Sequence, residues 1–447
     1  MTTVRISKGY DLPLQGAPLN TMETLASPAT VALAPEHIPF LKPRLAVKKG
    51  DRVAVGDLIC TDKDNPRLRL LSPGGGQVTD IRYGPRRVLR EVVIRRDAEN
   101  EAMQSLAAPL SPEAIDQIPR ADLVERLLAG GVWPFLRALP YRGIADPERN
   151  PPAIFVSLAA SEPFQVPPER YMEGQRERFA LGLRALKRLC PDVLVHADSA
   201  ERSFCEAHRD LITHTVRGRY PADDAGVVLY HLRRSSAENT SWFIKGQDLL
   251  LLAQLLQTGQ YPTQRVFAVG GSGASRPRYV TSRVGAPLKH LAGEVRCPAP
   301  RFAVGGTLRG YTAEADGHMG FYDTALVILP EAMEADFLTS FRPGTDKPTY
   351  SRSFLSALRR VPLPMTTNVN GGRRACIACG YCADVCPVEI WPQMTFKSIL
   401  AGEVEEYLAH GLLDCVECGL CSYVCPSKIE LATMLQAAKH AYRKEQV

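Results

Sequence analysis

Two stretches near the end of the chain, CIACGYCADVCP (residues 376–387) and CVECGLCSYVCP (residues 415–426), share one spacing, C-x2-C-x2-C-x3-C-P. They hold Cys376, Cys379, Cys382, Cys386, Cys415, Cys418, Cys421 and Cys425, most of the 12 cysteines in a chain of 447 residues. The amino terminus, MTTVRISKGYDLP, lacks the continuous apolar stretch of a signal peptide, and the longest apolar run, near residues 249–256, is far short of a bilayer span. A cytosolic, water-soluble chain is expected. In a compartment that keeps thiols reduced, clustered cysteines serve as metal ligands or redox centres rather than disulfides.

The spacing narrows the metal. Three thiolates separated by two residues can wrap one cube of iron and sulfide, while a fourth cysteine followed by proline reaches toward a second cube. Two such motifs then hold two 4Fe-4S clusters by exchanging their last ligands. Cys376, Cys379, Cys382 and Cys425 are assigned to one cluster, and Cys415, Cys418, Cys421 and Cys386 to the other. Zinc takes four ligands per ion, commonly from two separated C-x-x-C pairs, so the third cysteine of each motif is surplus for it. Two clusters that share ligand segments lie close together and form steps of an electron path. Cys60, Cys190, Cys205 and Cys297 stand singly and read as core or surface thiols.

The chain is too long for one hydrophobic core, and 45% hydrophobic with 23% charged residues is ordinary for a globular protein. Four domains are expected, over residues 1–105, 106–258, 259–345 and 346–447. The first has short β-runs with turn glycines, LAVKKGDRVAVGDLICTDKD and LLSPGGGQVTDI, and resembles the barrel-sandwich fold of lipoyl carrier domains. No lysine stands at a symmetric hairpin tip, so the fold is expected without the swinging-arm modification. The second alternates apolar runs such as PAIFVSLAA and PDVLVHAD with amphipathic stretches such as MEGQRERFALGLRALKRL, the pattern of a parallel α/β sheet. It lacks the G-x-G-x-x-G loop of dinucleotide-binding sheets. The third is β-rich with glycine pairs, Gly270-Gly271 and Gly305-Gly306; turns are their ordinary work, and a phosphate cradle at residues 270–273 is the alternative. The fourth is helical, carries the two motifs and ends in a basic helix.

The net charge of +6 is locally concentrated in IRYGPRRVLREVVIRR, with Arg82, Arg86, Arg87, Arg90, Arg95 and Arg96. Such a patch could face anionic lipid, phosphates or an acidic partner, or simply be a solvated hairpin. No aromatic residues interleave as a base-stacking platform, so nucleic acid is not an expected partner. The 9 histidines, among them His196, His208, His231 and His318, form no paired catalytic motif.

Several stretches spread along the chain carry a family resemblance: SKGYDLPLQGAP, LLSPGGGQV, GPRRVLREVVI, AENTSWFIKGQD, and YSRSFL before PMTTNVNG. In these the chain resembles the A subunit of the sodium-translocating NADH:quinone reductase, and its cysteine-rich end resembles the C subunit of the Rnf complex. The resemblance implies a multidomain α/β and α+β protein: a barrel-sandwich (lipoyl-like) domain, a Rossmann-like α/β domain related to the flavin subunit of complex I, a β-grasp (SLBB-like) domain, and a C-terminal helical 4Fe-4S domain. The sodium-pump relatives lack the full cysteine set, whereas here all eight positions are filled. The C subunits of Rnf place a GxGGAGFP-type loop before the α/β domain to hold flavin and NADH. The equivalent stretch here is LLAGGVWPFLRALPYRG, where Trp133, Pro134, Phe135 and Leu136 follow Gly130 and Gly131. FMN and NADH are therefore not expected to bind, while quinone stays open as a ligand.

The resemblance implies a peripheral subunit of a sodium- or ion-translocating oxidoreductase, on the cytoplasmic face of the cell membrane. Its partners would be integral membrane subunits of an Nqr/Rnf-type complex and a soluble electron donor, either an NADH dehydrogenase subunit or a ferredoxin. Electrons would pass through the two clusters toward membrane flavin or quinone. The rival readings are an electron-inert scaffold with structural clusters and a flavin-binding NADH dehydrogenase. No acid-base or nucleophilic machinery is legible, so no catalytic residue is assigned.

Overall fold

The computed structural model describes residues 1–332, 343–351, 354–359, 361–365, 367–368 and 371–446. Arg352, Ser353, Thr366, Val369 and Asn370, within the stretches YSRSFL and PMTTNVNG, and residues 333–342 of the expected third domain lie outside them.

The scaffold of the second region is a seven-stranded sheet in the order Thr2–Arg5, His214–Arg217, Val193–Asp198, Ile154–Ser157, Trp242–Lys245, Arg137–Ala138, Gly143–Ile144. The first five are parallel and the last two antiparallel. The central strand, IFVS, buries three consecutive residues, as a parallel strand covered on both faces must. The helix Arg176–Leu189 buries Phe179, Gly182, Leu183 and Leu186, a stripe at helical spacing, against the helix Gly246–Thr258. Gly182 lets the two approach closely, because a Cβ there would stand 2.8 Å from Leu249 Cδ1.

Two further sheets, Thr30–Leu33 with Leu89–Arg96, Gly76–Tyr83 and Arg52–Val53, and Pro43–Leu45 with Leu58–Asp62 and Arg69–Leu71, face one another as the barrel-sandwich. Gly76 in LLSPGGGQV has φ +154°, and a Cβ would lie 2.0 Å from the Arg95 carbonyl oxygen, so the cross-strand approach there requires glycine. The next sheet runs Tyr311–Ala313, Pro300–Val304, Ala325–Pro330, Gln264–Gly270, Arg278–Arg283, Met22–Thr24.

The first residues differ from the sequence expectation. They read as barrel strands, yet Thr2–Arg5 pairs in register with His214–Arg217 of the α/β sheet, and Met22–Thr24 pairs with the strand Arg278–Arg283. A strand of three or four residues carries too little pattern to name its sheet; what decides is burial of Val4 and Ile6 beside Val216 and Tyr220.

The arginine-rich hairpin also differs from an open cationic patch. Arg82 bonds Glu91 at 2.7 Å and Asp316 at 3.2 Å, Arg90 faces Glu36 at 3.5 Å, and Arg95 donates to Gln77 at 2.8 Å. Arg86 and Arg87, at the exposed tip, have no ion-pair partner among the described residues, and Arg95 has only the neutral Gln77.

Arg96 belongs to a junction between domains. Glu101 accepts from Arg96 at 2.7 Å, from Arg283 of the six-stranded sheet at 2.7 Å and from the Gly75 N–H at 2.9 Å. Burial pushes the Glu101 carboxyl up, but the Arg96 and Gly75 hydrogen bonds and the two guanidinium charges outweigh it and hold the group below its ordinary range. A depressed carboxylate contributes stability that is present above its unfolded pKa, about 4.3, and is lost as pH falls through the folded value. Glu101→Gln is therefore expected to cost about 2 kcal/mol at neutral pH and to flatten the decline of stability below about pH 4.3. Urea unfolding of both proteins across that pH range measures this; parallel pH profiles would contradict it.

Candidate iron-sulfur site

The two cysteine motifs fold as copies of one backbone. In each, a one-turn helix, Tyr381–Asp384 or Leu420–Tyr423, follows a glycine in the left-handed region, Gly380 at φ +82° or Gly419 at φ +80°. The residue two before each glycine also has positive φ, Ala378 at 54° and Glu417 at 57°, as do Glu389 at 54° and Lys428 at 54° beyond the last cysteines. Such a conformation is costly for residues with a Cβ, and its recurrence at matching positions shows both loops bent around the same kind of space.

The thiols line two neighbouring cavities. Cys376, Cys379, Cys382 and Cys425 line one, with Gln393. Cys386, Cys415, Cys418 and Cys421 line the other, with Cys382 at the shared wall. Each space is thus bordered by three cysteines of one motif and the last cysteine of the other. Among the described residues no three of His, Cys, Asp and Glu converge as a single metal ion would need.

The two spaces differ in exposure. Cys379 is exposed and Cys376 and Cys425 are half-buried, whereas Cys386, Cys415 and Cys421 are buried. Burial pushes Cys382 up to about 11, and Cys386 and Cys418 up to about 12; Cys421 too is raised well above its ordinary value by burial. These thiols stay protonated unless a cation compensates the thiolates.

The α/β domain holds segments of both motifs beside the second cavity. The Tyr220 hydroxyl donates to the Cys418 carbonyl at 2.8 Å, His231 Nε2 lies 2.9 Å from the Pro387 carbonyl, and Arg233 Nη2 donates to Asp414 at 2.9 Å. From the last helix, Leu431–Glu445, the buried Lys439 ammonium donates to the Cys415 carbonyl at 2.7 Å and to Glu417 at 3.1 Å. Burial pushes the Glu417 carboxyl up, but Lys439 and Arg142 hold it below its usual range. None of these supports was legible in the sequence, because each pairs residues at least 22 positions apart and none belongs to a motif. His231 alone stood among the histidines noted, with no role.

Other expectations fall as follows. Gly270–Gly273 is no phosphate cradle: the Gly271 N–H donates to the Gly16 carbonyl at 2.8 Å and that of Gly273 to Ile328 at 2.9 Å. His318 Nδ1 pairs with Glu91 at 3.0 Å in the interior, and His196 Nε2 with the Asp223 carbonyl at 3.0 Å. Cys60, Cys190 and Cys205 are buried and Cys297 is half-buried. In the stretch from Leu127 to Gly143, Trp133 is buried with its Nε1 donating to Ala145 at 2.8 Å, and Phe135 stacks on Phe321 at 4.9 Å. Those aromatic side chains are core, but Arg137 and Arg142 of the same stretch line a cavity of about 430 Å³ at the carboxyl ends of the central parallel strands, together with Lys245 of AENTSWFIKGQD; nothing in the sequence marked these residues as ligand-binding. Val416 and Glu417 line both it and the second cysteine cavity. No helix among the described residues is long and apolar enough to cross a membrane.

Comparison with known proteins gives three family matches in chain order. Residues 4–97 match the NqrA N-terminal barrel-sandwich hybrid domain, residues 118–261 the NqrA second alpha/beta domain, and residues 375–429 a 4Fe-4S dicluster domain. The A subunit of the Na(+)-translocating NADH-quinone reductase of Pseudomonas aeruginosa is 32% identical over 416 residues, covering 92% of each chain. Its counterpart in Tolumonas auensis is 32% identical over 415 residues, again covering 92% of each. Among solved structures, an NAD+-reducing [NiFe]-hydrogenase in its H2-reduced state shares 13% identity at a TM-score of 0.35 over 52% of either chain, too faint a likeness to carry an argument. On full-length relatives and on a matching order of domains, the chain belongs to the family formed by the A subunits of the Na(+)-translocating NADH-quinone reductase, an oxidoreductase complex, and carries a 4Fe-4S dicluster domain at its C-terminal end.

Proposed function

We propose that this protein is the peripheral electron-transfer subunit of an Nqr/Rnf-type ion-translocating oxidoreductase, with two 4Fe-4S clusters held by exchanged ligands. Cys376, Cys379, Cys382 and Cys425 hold the first and Cys415, Cys418, Cys421 and Cys386 the second. The observation that carries this reading is the pair of adjoining cavities, each bordered by three thiols of one motif and the last thiol of the other. When bound, each cluster supplies a one-electron carrier whose potential depends on burial, hydrogen bonds and nearby charge.

The residues around them divide the work. Cys386, Cys415 and Cys421 keep water from the second set, while Cys379 and Ile377, the latter 68% exposed, open the first set to a partner protein. Lys439 and Tyr220 fix the backbone at Cys415 and Cys418, so the thiols stand in place before metal arrives. On this reading the subunit docks on integral membrane subunits at the cytoplasmic face and exchanges electrons between a soluble donor and membrane flavin or quinone. The domain readings extend likewise: the α/β sheet is Rossmann-like. The third sheet, whose five strands from residues 264 to 330 run in the order fourth, third, fifth, first, second, is β-grasp-like. On this reading FMN and NADH are not cofactors of this subunit, the support being Trp133, Pro134 and Phe135 where the related loop carries small residues.

Ligand exchange is tested by single substitutions in the anaerobically loaded protein. Cys386→Ala should disturb the same electron paramagnetic resonance signal as Cys418→Ala, and Cys425→Ala the same signal as Cys379→Ala. If Cys386→Ala instead resembles Cys379→Ala, each motif binds its own cube. Lys439→Met leaves the partly buried Glu417 carboxylate with only the Gln436 amide as donor and is expected to cost about 2–3 kcal/mol of stability and to weaken the second signal first. Adding Glu417→Gln should restore much of the melting temperature; no recovery would contradict the role given to this pair.

A further inference from the structure

The sheet changes winding direction beside its central strand. From Ile154–Ser157 the chain proceeds to Val193–Asp198 on one side and later returns to Trp242–Lys245 on the other. The carboxyl ends of strands at such a reversal form a crevice where open α/β sheets take ligands. Here the crevice is the cavity of about 430 Å³, of the size that encloses a small organic molecule.

Its charges are not all matched within the protein. Asp224 on its wall binds Arg142 at 2.7 Å and Arg309 at 2.8 Å, Asp248 binds Arg265, and Glu417 binds Lys439 at 3.1 Å. Glu162 accepts the Leu308 N–H at 2.8 Å. Two cations on the same wall, Arg137 and Lys245, have no carboxylate at ion-pair distance among the described residues. The Arg137 guanidinium lies 4.4 Å from the Phe243 ring centre and 4.5 Å from that of Tyr322, which holds it flat, and its buried Nε has no hydrogen-bond partner. Lys245 ends its strand and precedes the 13-residue helix Gly246–Thr258, to whose first turn its side chain gives no cap. Lys245, unlike the three buried residues before it on the strand, is exposed and lines the crevice.

Two like charges in one crevice, beside an uncapped helix N-terminus, call for an anion. A planar guanidinium and a point ammonium converging with backbone N–H groups suit the tetrahedral oxygens of a phosphate better than the two oxygens of a carboxylate. Asp223 and Asp323, also on the wall, have no cation at ion-pair distance among the described residues; Asp323 accepts from the Tyr311 hydroxyl at 3.1 Å and Asp223 from Ser161. They can accept hydroxyl or amino donors from the rest of a ligand, and would repel a second anionic group. We propose that this cavity binds a small phosphate monoester bearing hydroxyl or amino groups, its phosphate between Arg137 and Lys245 at the first turn of the helix Gly246–Thr258.

Calorimetric titration of the full-length protein tests this with inorganic phosphate, AMP, adenosine and malonate as probes. Phosphate and AMP should each bind at one site per chain, AMP more tightly, with adenosine and malonate weaker than AMP. Lys245→Gln should weaken AMP binding by about tenfold or more, as loss of a charged hydrogen bond does, and Lys245→Arg should retain it. Arg137→Gln should weaken it similarly, but Lys245 makes no ion pair, so its substitution reads out even where the arginine variant fails to fold. Absence of phosphate and AMP binding, AMP binding unchanged by Lys245→Gln, or malonate binding as tightly as AMP would each overturn the proposal.

Discussion

A thiolate in a dry site needs a cation, and much of the C-terminal architecture follows from that requirement. Cys386, Cys415, Cys418 and Cys421 stand where burial drives their thiols upward. The nearby protein cations are already engaged: Lys439 with Glu417, Arg142 and Arg309 with Asp224. On the proposed reading the compensating positive charge comes from cluster iron, whose binding releases the thiol protons. The cost of so dry a pocket is met by contacts from elsewhere in the chain, chiefly the Tyr220, His231 and Lys439 bonds to backbone carbonyls. The second cysteine set is thereby fastened to the α/β sheet, while the first stays near the surface.

How far the sequence reached depends on the range of the interactions involved. The cysteine grouping was legible because the ligand rule is local and is written twice with the same spacing. The parallel sheet was legible because IFVS and VLVHAD are continuous apolar runs between amphipathic helices. Placement of Thr2–Arg5 in that sheet was not, since its partner lies 212 residues away at Thr215. The arginines of the hairpin suggested a cationic surface because two of the carboxylates that neutralise Arg90 and Arg82, Glu36 and Asp316, come from other segments, while Glu91 meets Arg82 only across the hairpin.

The crevice of the α/β sheet shows the same limit. Arg137, Lys245, Asp223 and Asp323 come from four separate segments; the first two lie in stretches that the sequence singled out for other reasons, and only the fold brings all four around one cavity. What the sequence did offer was negative: Trp133 and Phe135 where a flavin-type loop would need small residues, and both side chains lie in the core. Val416 and Glu417 separate the crevice from the second cysteine set, so the two sites share a wall.

The account stands on two clusters held side by side. Its most direct test is the electron paramagnetic resonance spectrum of the fully reduced, anaerobically purified protein, taken with its iron and sulfide content. Two cubes sharing the wall at Cys382 should give about eight iron and eight sulfide per chain and a spectrum broadened by magnetic coupling between the two centres. About four iron per chain, zinc as the main metal, or two signals that add without coupling would contradict it.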